Sequence, residues 1–145
     1  SADVRMTSFM KECERQGVAC KVYSASEQML WDMEYMPLIN RIFMENPDMD
    51  GIFASSDIIA AQCIQMAGTL GYRIPEDFSL TGFGDSSIGE YMEPALTTVE
   101  WDPLDCGYAA AKRLHERMRQ KKDTEKSFIP YRIAGRDSVM DRTKA

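Results

Sequence analysis

The run from Asp50 to Asp85, DGIFASSDIIAAQCIQMAGTLGYRIPEDFSLTGFGD, constrains this chain more than any other. Its first residues, DGIFAS (Asp50 to Ser55), are compact and apolar, as a buried strand is. Ser55, Ser56 and Asp57 then offer side-chain oxygens that can cap the first turn of a helix. Ile59, Cys63, Met66 and Leu70 follow at i, i+4, i+7 and i+11, an amphipathic stripe, and Gly71 supplies its stop. Pro75, Glu76 and Asp77 turn the chain into a second apolar strand that ends near Gly84. Strand, crossover helix, strand is the unit from which parallel sheets are built, so the chain is predicted to fold as a layered α/β protein.

The flanks extend the same alternation. Met6, Phe9, Met10 and Cys13 fall on one face of a first helix, and Gly17 is placed to end it. ACKVYS (Ala19 to Ser24) reads as a short strand. Met36, Ile39, Ile42 and Phe43 repeat at helical spacing, and Asn46-Pro47 closes that helix. Trp31 sits in a segment without a clear pattern. Downstream, ALTTVEW (Ala95 to Trp101) is rich in β-formers, and Asp102-Pro103 opens a helix with proline in its first turn. Leu104, Tyr108, Ala111, Leu114 and Met118 would form that helix's buried face. QKKDTEK (Gln120 to Lys126) is a polar loop, SFIPYRIAG a last strand, and RDSVMDRTKA a largely disordered end. The expected layout is one domain over residues 1–139, with helix 103–119 able to pack on a further lobe or another chain, and a tail over 140–145.

Helices between short apolar strands imply a parallel sheet flanked by helices on both faces. Small molecules bind such sheets outside the carboxyl ends of the strands. Those ends are Tyr23-Ser24-Ala25, Ser55-Ser56-Asp57 and Gly84-Asp85-Ser86, of which the last two are short and polar. A ligand rim built from separate loops is therefore expected.

Composition narrows what such a rim could serve. A chain of 145 residues can bury a real core, and its net charge of -6 lacks the basic footprint that phosphate backbones require, so it should not grip DNA by itself. Cys13, Cys20, Cys63 and Cys106 form no C-x-x-C pair, which argues against a zinc site and a disulfide framework and for reduced, mostly buried thiols in a cytoplasmic protein. No apolar run approaches the roughly 18 residues of a membrane span, and the first residues have no signal-peptide pattern. Enzyme chemistry finds no support, since no G-x-S-x-G elbow is present and the single histidine, His115, lies on a helix as a surface or packed side chain. GFGDSSIG lacks the dinucleotide-loop spacing, and no cofactor is implied. Asp57 is read first as a helix cap and Asp85 as a turn residue. A reversible polar site remains, suited to sugars, with Trp101 as the best stacking side chain.

The motif series resembles the lac-repressor/galactose-repressor (LacI/GalR) family of transcription regulators. DGIFASSDIIAAQCIQMAGTLGYRIPEDFSLTGFGD is similar to the family's strand, polar-Asp dipeptide, G-x-x-(I/V)-P-x-D and G-F-D-D pattern. EPALTTVEWDPLDCGYAAAKRL resembles its P-x-LTT-(V/I) strand and following helix, and RIAGRDSV its closing L-x-x-R-x-S. VRMTSFMKEC resembles the R-x-x-G-(F/W) helix, with Ser8 in place of the usual glycine. The resemblance implies a periplasmic-binding-protein-like effector domain, of which this chain is mainly the C-terminal lobe, beginning after that lobe's first strand. It implies a small-molecule effector, a homodimer, and operator DNA contacted only through an N-terminal helix-turn-helix that this chain does not contain. Position by position, Arg5 matches an arginine that hydrogen-bonds effector, Ser56 the residue before the capping aspartate, and Trp101 the returning segment. Gly84 stands where G-F-D-D has its first aspartate, commonly an acceptor for sugar hydroxyls, and Asp85 matches the second. The alternative that the same fold permits is a periplasmic sugar-binding protein of a transport system.

Overall fold

The capped helix and its two flanking strands form where the run from Asp50 to Asp85 predicts them. A computed structural model describes residues 2–120 and 128–142. In chain order the elements are α1 (Ala2–Gln16), α2 (Glu27–Asp32), α3 (Met36–Glu45), β1 (Gly51–Phe53), α4 (Asp57–Leu70), β2 (Ser79–Phe83), β3 (Thr97–Trp101), α5 (Pro103–Gln120) and β4 (Tyr131–Ala134), with a short 3-10 turn at Ser87–Tyr91. The sheet order is β1-β2-β3-β4. β1, β2 and β3 are parallel, with Phe53 opposite Thr81 and Phe83 opposite Val99. β4 joins the edge antiparallel to β3, Trp101 facing Tyr131, so the sheet is mixed rather than wholly parallel. No helix among the described residues is long and apolar enough to cross a membrane.

Strand alternation divides the sheet into two faces. Leu80, together with Leu96 just before β3, packs with Ile39 and Phe43 of α3 and Ala60, Cys63, Met66 and Ala67 of α4 into the main core. Phe43, Tyr72 and Phe78 meet there with ring centroids 5.2 to 6.1 Å apart. On the opposite face α1 lies against the sheet, Phe9 stacking on Phe53 at 4.9 Å. Two layers of helix around one sheet are thus set by the alternation of apolar side chains along β1 and β2.

Four expectations are corrected. Residues 19–24 form no strand, because a strand exists only where another backbone pairs with it. Side chains hold this segment instead: Lys21 Nζ donates to Asn46 Oδ1 (2.6 Å) and the Tyr23 hydroxyl to Glu45 Oε2 (2.8 Å). Cys63 and Met66 of the expected α4 stripe are buried, but its buried face is completed by the small Ala60 and Ala67, while Ile59 is half-buried and Leu70 exposed. The apolar face of α5 is not buried: Leu104, Tyr108, Leu114 and Met118 are 63 to 81% exposed, and Ala111 is exposed too. Among the described residues nothing lies over that face, and the half-buried positions are Cys106, Ala109, Arg113 and Glu116.

The fourth correction concerns RDSVMDRTKA, whose first residues are built into the fold. Ser138 is fully buried; its hydroxyl donates to Leu80 O (2.6 Å) and accepts from Thr97 N (2.8 Å), and its carbonyl accepts from Leu80 N (2.8 Å). It thereby satisfies backbone groups of both β2 and β3. The last three residues of the tail, and the polar loop apart from Gln120, lie outside the described residues.

Candidate functional site

The carboxyl ends of β1, β2 and β3 carry the loops that the sequence marks as polar. After β1, Ser56 takes the extended conformation of an N-cap and its Oγ accepts from Ile59 N at 3.4 Å. Asp57 opens α4 but does not cap it, which corrects the sequence reading. It is buried to 2% exposure, its Oδ2 accepting from Ser86 N (2.6 Å) and its Oδ1 from the Thr98 hydroxyl (2.7 Å). One carboxylate therefore ties the loop after β1 to the loop after β2 and to β3. Gly82 is glycine for the same reason: a Cβ there would collide with the Asp57 carboxylate.

Gly84 ends β2 with φ 124°, in the region that favours glycine, and its N–H donates to Val99 O (3.0 Å). Nothing stands within 4 Å of where its Cβ would be, so the space in front of it is open. Asp85 follows at φ 49° and is held by Arg136, whose Nη2 donates to its Oδ1 at 2.7 Å. Arg136 also donates to Leu96 O (2.8 Å), and its bond to Asp85 raises its pKa above the ordinary guanidinium value. Asp85 thus has a structural partner inside the chain, as a turn residue would. Ser86 Oγ is the one buried side-chain polar atom among the described residues without a hydrogen-bond partner.

Arg5 reaches this edge from α1. Its Nη1 donates to Ser55 O (2.7 Å) and its guanidinium lies 4.2 Å from the centre of the Phe83 ring. Trp101 is half-buried at the end of β3, two residues beyond the partner of Phe83. Arg5, Ser56, Gly84 and Trp101 therefore share one edge of the sheet, with Asp57 and Asp85 beneath it as braces. Trp31, 84% exposed on α2, is not part of it, and His115 is an exposed residue of α5.

Sequence reasoning missed Thr98 and Phe83 at this edge. Thr98 lay inside a β-rich run, where a threonine is ordinary, and Phe83 passed for core. Arg136 lay in the quoted RIAGRDSV, whose arginine was the available signal. The arrangement can hydrogen-bond and stack; no nucleophile-base pair stands in it, and among the described residues no cluster of three or more His, Cys, Asp or Glu could hold a metal ion.

The periplasmic binding protein-like domain family matches residues 1–139. The ribose operon repressor of Halalkalibacterium halodurans is 34% identical over 140 residues, 95% of this chain and 41% of the repressor. The chain thus spans about two fifths of that relative's length. Among solved structures, the ribose operon repressor protein from Lactobacillus acidophilus superposes with a TM-score of 0.80 at 23% identity, over 94% of this chain and 50% of that one. A LacI family transcriptional regulator from Enterococcus faecium, with bound ribose, superposes with a TM-score of 0.62 at 30% identity, over 72% and 40%. The chain belongs to the periplasmic binding protein-like domain family, and its relatives there are LacI-type transcriptional regulators.

Proposed function

We propose that this chain is the effector-binding part of a LacI-type transcriptional regulator that senses a small sugar. The observation that carries the reading is the carboxyl edge of β1, β2 and β3, along which an arginine, a hydroxyl-bearing loop, an open glycine and a tryptophan from four separate elements are set. Arg5 and Ser56 supply hydrogen bonds, Trp101 a stacking face, and the open space at Gly84 admits a ring close to the backbone. Asp57 and Asp85 hold the loops in place and act on ligand only through them. In this reading the site binds and releases its ligand without chemical change. The regulator works in the cytoplasm as a homodimer and meets operator DNA through a domain outside this chain, whose affinity the effector shifts by population.

Ribose heads the list of candidates because two of the similar proteins are ribose operon repressors and a third holds bound ribose. The test is calorimetric titration of the full-length regulator with ribose and a panel of pentoses and hexoses. Saturable binding of a sugar, lost in Arg5→Ala with the fold intact by circular dichroism, is the expected result. Absence of binding across the panel, or binding unchanged in both Arg5→Ala and Ser56→Ala, removes the assignment.

A further inference from the structure

Cys13 and Cys20 take no part in the rim, yet the fold brings the two residues to one concavity. α1 ends at Gly17 in the left-handed conformation (φ 68°), with Gly17 N–H donating to Glu14 O (3.1 Å) and Val18 N–H to Cys13 O (2.9 Å). This paired closure is the Schellman arrangement, which reverses the chain over the helix's last turn. The reversal carries Cys20 back along α1, so that Met6, Met10, Cys13, Val18 and Cys20 line one concavity together with Lys11 and Glu14. Within it the two cysteine side chains are neighbours. Cys20 is exposed and Cys13 half-buried, so an oxidant can reach the pair. Cys63 is sealed in the core, and Cys106 is on α5.

We infer that Cys13 and Cys20 are a thiol–disulfide modification site, closing to an intramolecular disulfide when a small disulfide oxidant is present. With oxidised glutathione the step balances. The thiolate of one cysteine attacks a glutathione sulfur, the glutathione S–S bond breaks, and one glutathione leaves as thiol. The second cysteine, as thiolate, attacks the protein sulfur of the mixed disulfide and displaces the second glutathione. Two protein thiols are oxidised, one disulfide is reduced, and the two cysteine protons end on the two glutathiones. Burial, together with the neighbouring Cys13, raises the pKa of Cys20, so the exchange runs faster in mildly alkaline buffer. The closed bond ties the last turn of α1 to the segment that Lys21 and Tyr23 fasten to the end of α3. A helix that otherwise rests on the sheet through Phe9 and Arg5 gains a covalent link to the other layer of the fold.

Trypsin supplies the test, because Arg15 lies between the two cysteines. The native chain is incubated with oxidised glutathione, its remaining thiols are alkylated, and the digest is read by mass spectrometry without reduction. The expected product is Glu12–Arg15 joined to Gln16–Lys21, lighter by two hydrogens than the separate peptides and separated by dithiothreitol. The oxidised chain should also melt at a higher temperature than the reduced one, a difference absent from Cys20→Ser, which should show only glutathione on Cys13. Wild-type protein carrying glutathione on both cysteines without the linked peptide, or linked mainly through Cys106 or between chains, overturns the inference.

Discussion

Asp57 shows how much of a site can rest on a residue that never touches ligand. Its carboxylate satisfies the Ser86 amide and the Thr98 hydroxyl in a buried position, and both donors lose their partner in Asp57→Ala. Orphaned buried donors cost about 1–3 kcal/mol each, so this variant should lose roughly 3 kcal/mol of stability. Urea unfolding checks it: the midpoint should fall with the slope unchanged. The sequence marked Asp57 as a cap because Ser-Ser-Asp before an apolar stripe offers three equivalent oxygens. Which of them caps depends on where β3 passes, and that contact spans 41 residues, beyond the reach of local pattern. Cys63 carries a second residue-level consequence. Burial pushes its thiol up to about 12, so the folded chain keeps its proton where the unfolded chain, near 9, has lost it. The sign follows: this stabilisation is complete below about pH 9 and shrinks by about 1.4 kcal/mol per pH unit as pH rises toward 12. Denaturant midpoints of wild type and Cys63→Ala at pH 8, 9 and 10 should therefore converge with rising pH, and parallel curves would contradict the account.

At the scale of elements, the strand-helix-strand run was legible because each local signal agreed with the others: cap, stripe, glycine stop, turn, strand. The same clarity failed for residues 19–24, whose composition is that of a strand but which have no strand to pair with. It failed again at the closing segment, where the information sits in partners rather than in periodicity. Ser138 stands on no periodic face, yet it fastens β2 and β3 through its hydroxyl and backbone. Ser138→Ala leaves Thr97 N without its partner and removes the hydroxyl bond to Leu80 O, and should cost about 2 kcal/mol. Gly82→Ala acts on the same joint by sterics, its Cβ meeting the Asp57 carboxylate and standing 2.9 Å from Leu96 Cδ2. Overpacking of this kind costs about 1–3 kcal/mol. The two substitutions share neighbours in β2, so the double variant should depart from additivity, which a thermodynamic cycle on urea midpoints would measure.

For the molecule as a whole, α5 and β4 present an apolar surface that the described residues do not cover. Leu104, Tyr108, Leu114 and Met118 on α5, with Tyr131 and Ile133 on β4, are each more than half exposed. The sequence predicted the apolar stripe of α5 correctly as a stripe; what it could not supply was the surface opposite, because amphipathicity specifies a need for a partner and says nothing of which chain provides it. The proposed homodimer makes this face a natural place to test. Exposed positions tolerate substitution within about 0.5 kcal/mol of the fold's own stability. Leu114→Glu combined with Met118→Glu should therefore leave the unfolding midpoint of the monomer almost unchanged, while a dimer that buries these side chains would be broken by two desolvated carboxylates. Sedimentation equilibrium separates the outcomes: a wild-type dimer converted to monomer by the double variant places the contact on α5. A wild-type mass of one chain at working concentration removes the homodimer for this part of the protein, and a dimer unmoved by the two charges puts its interface elsewhere.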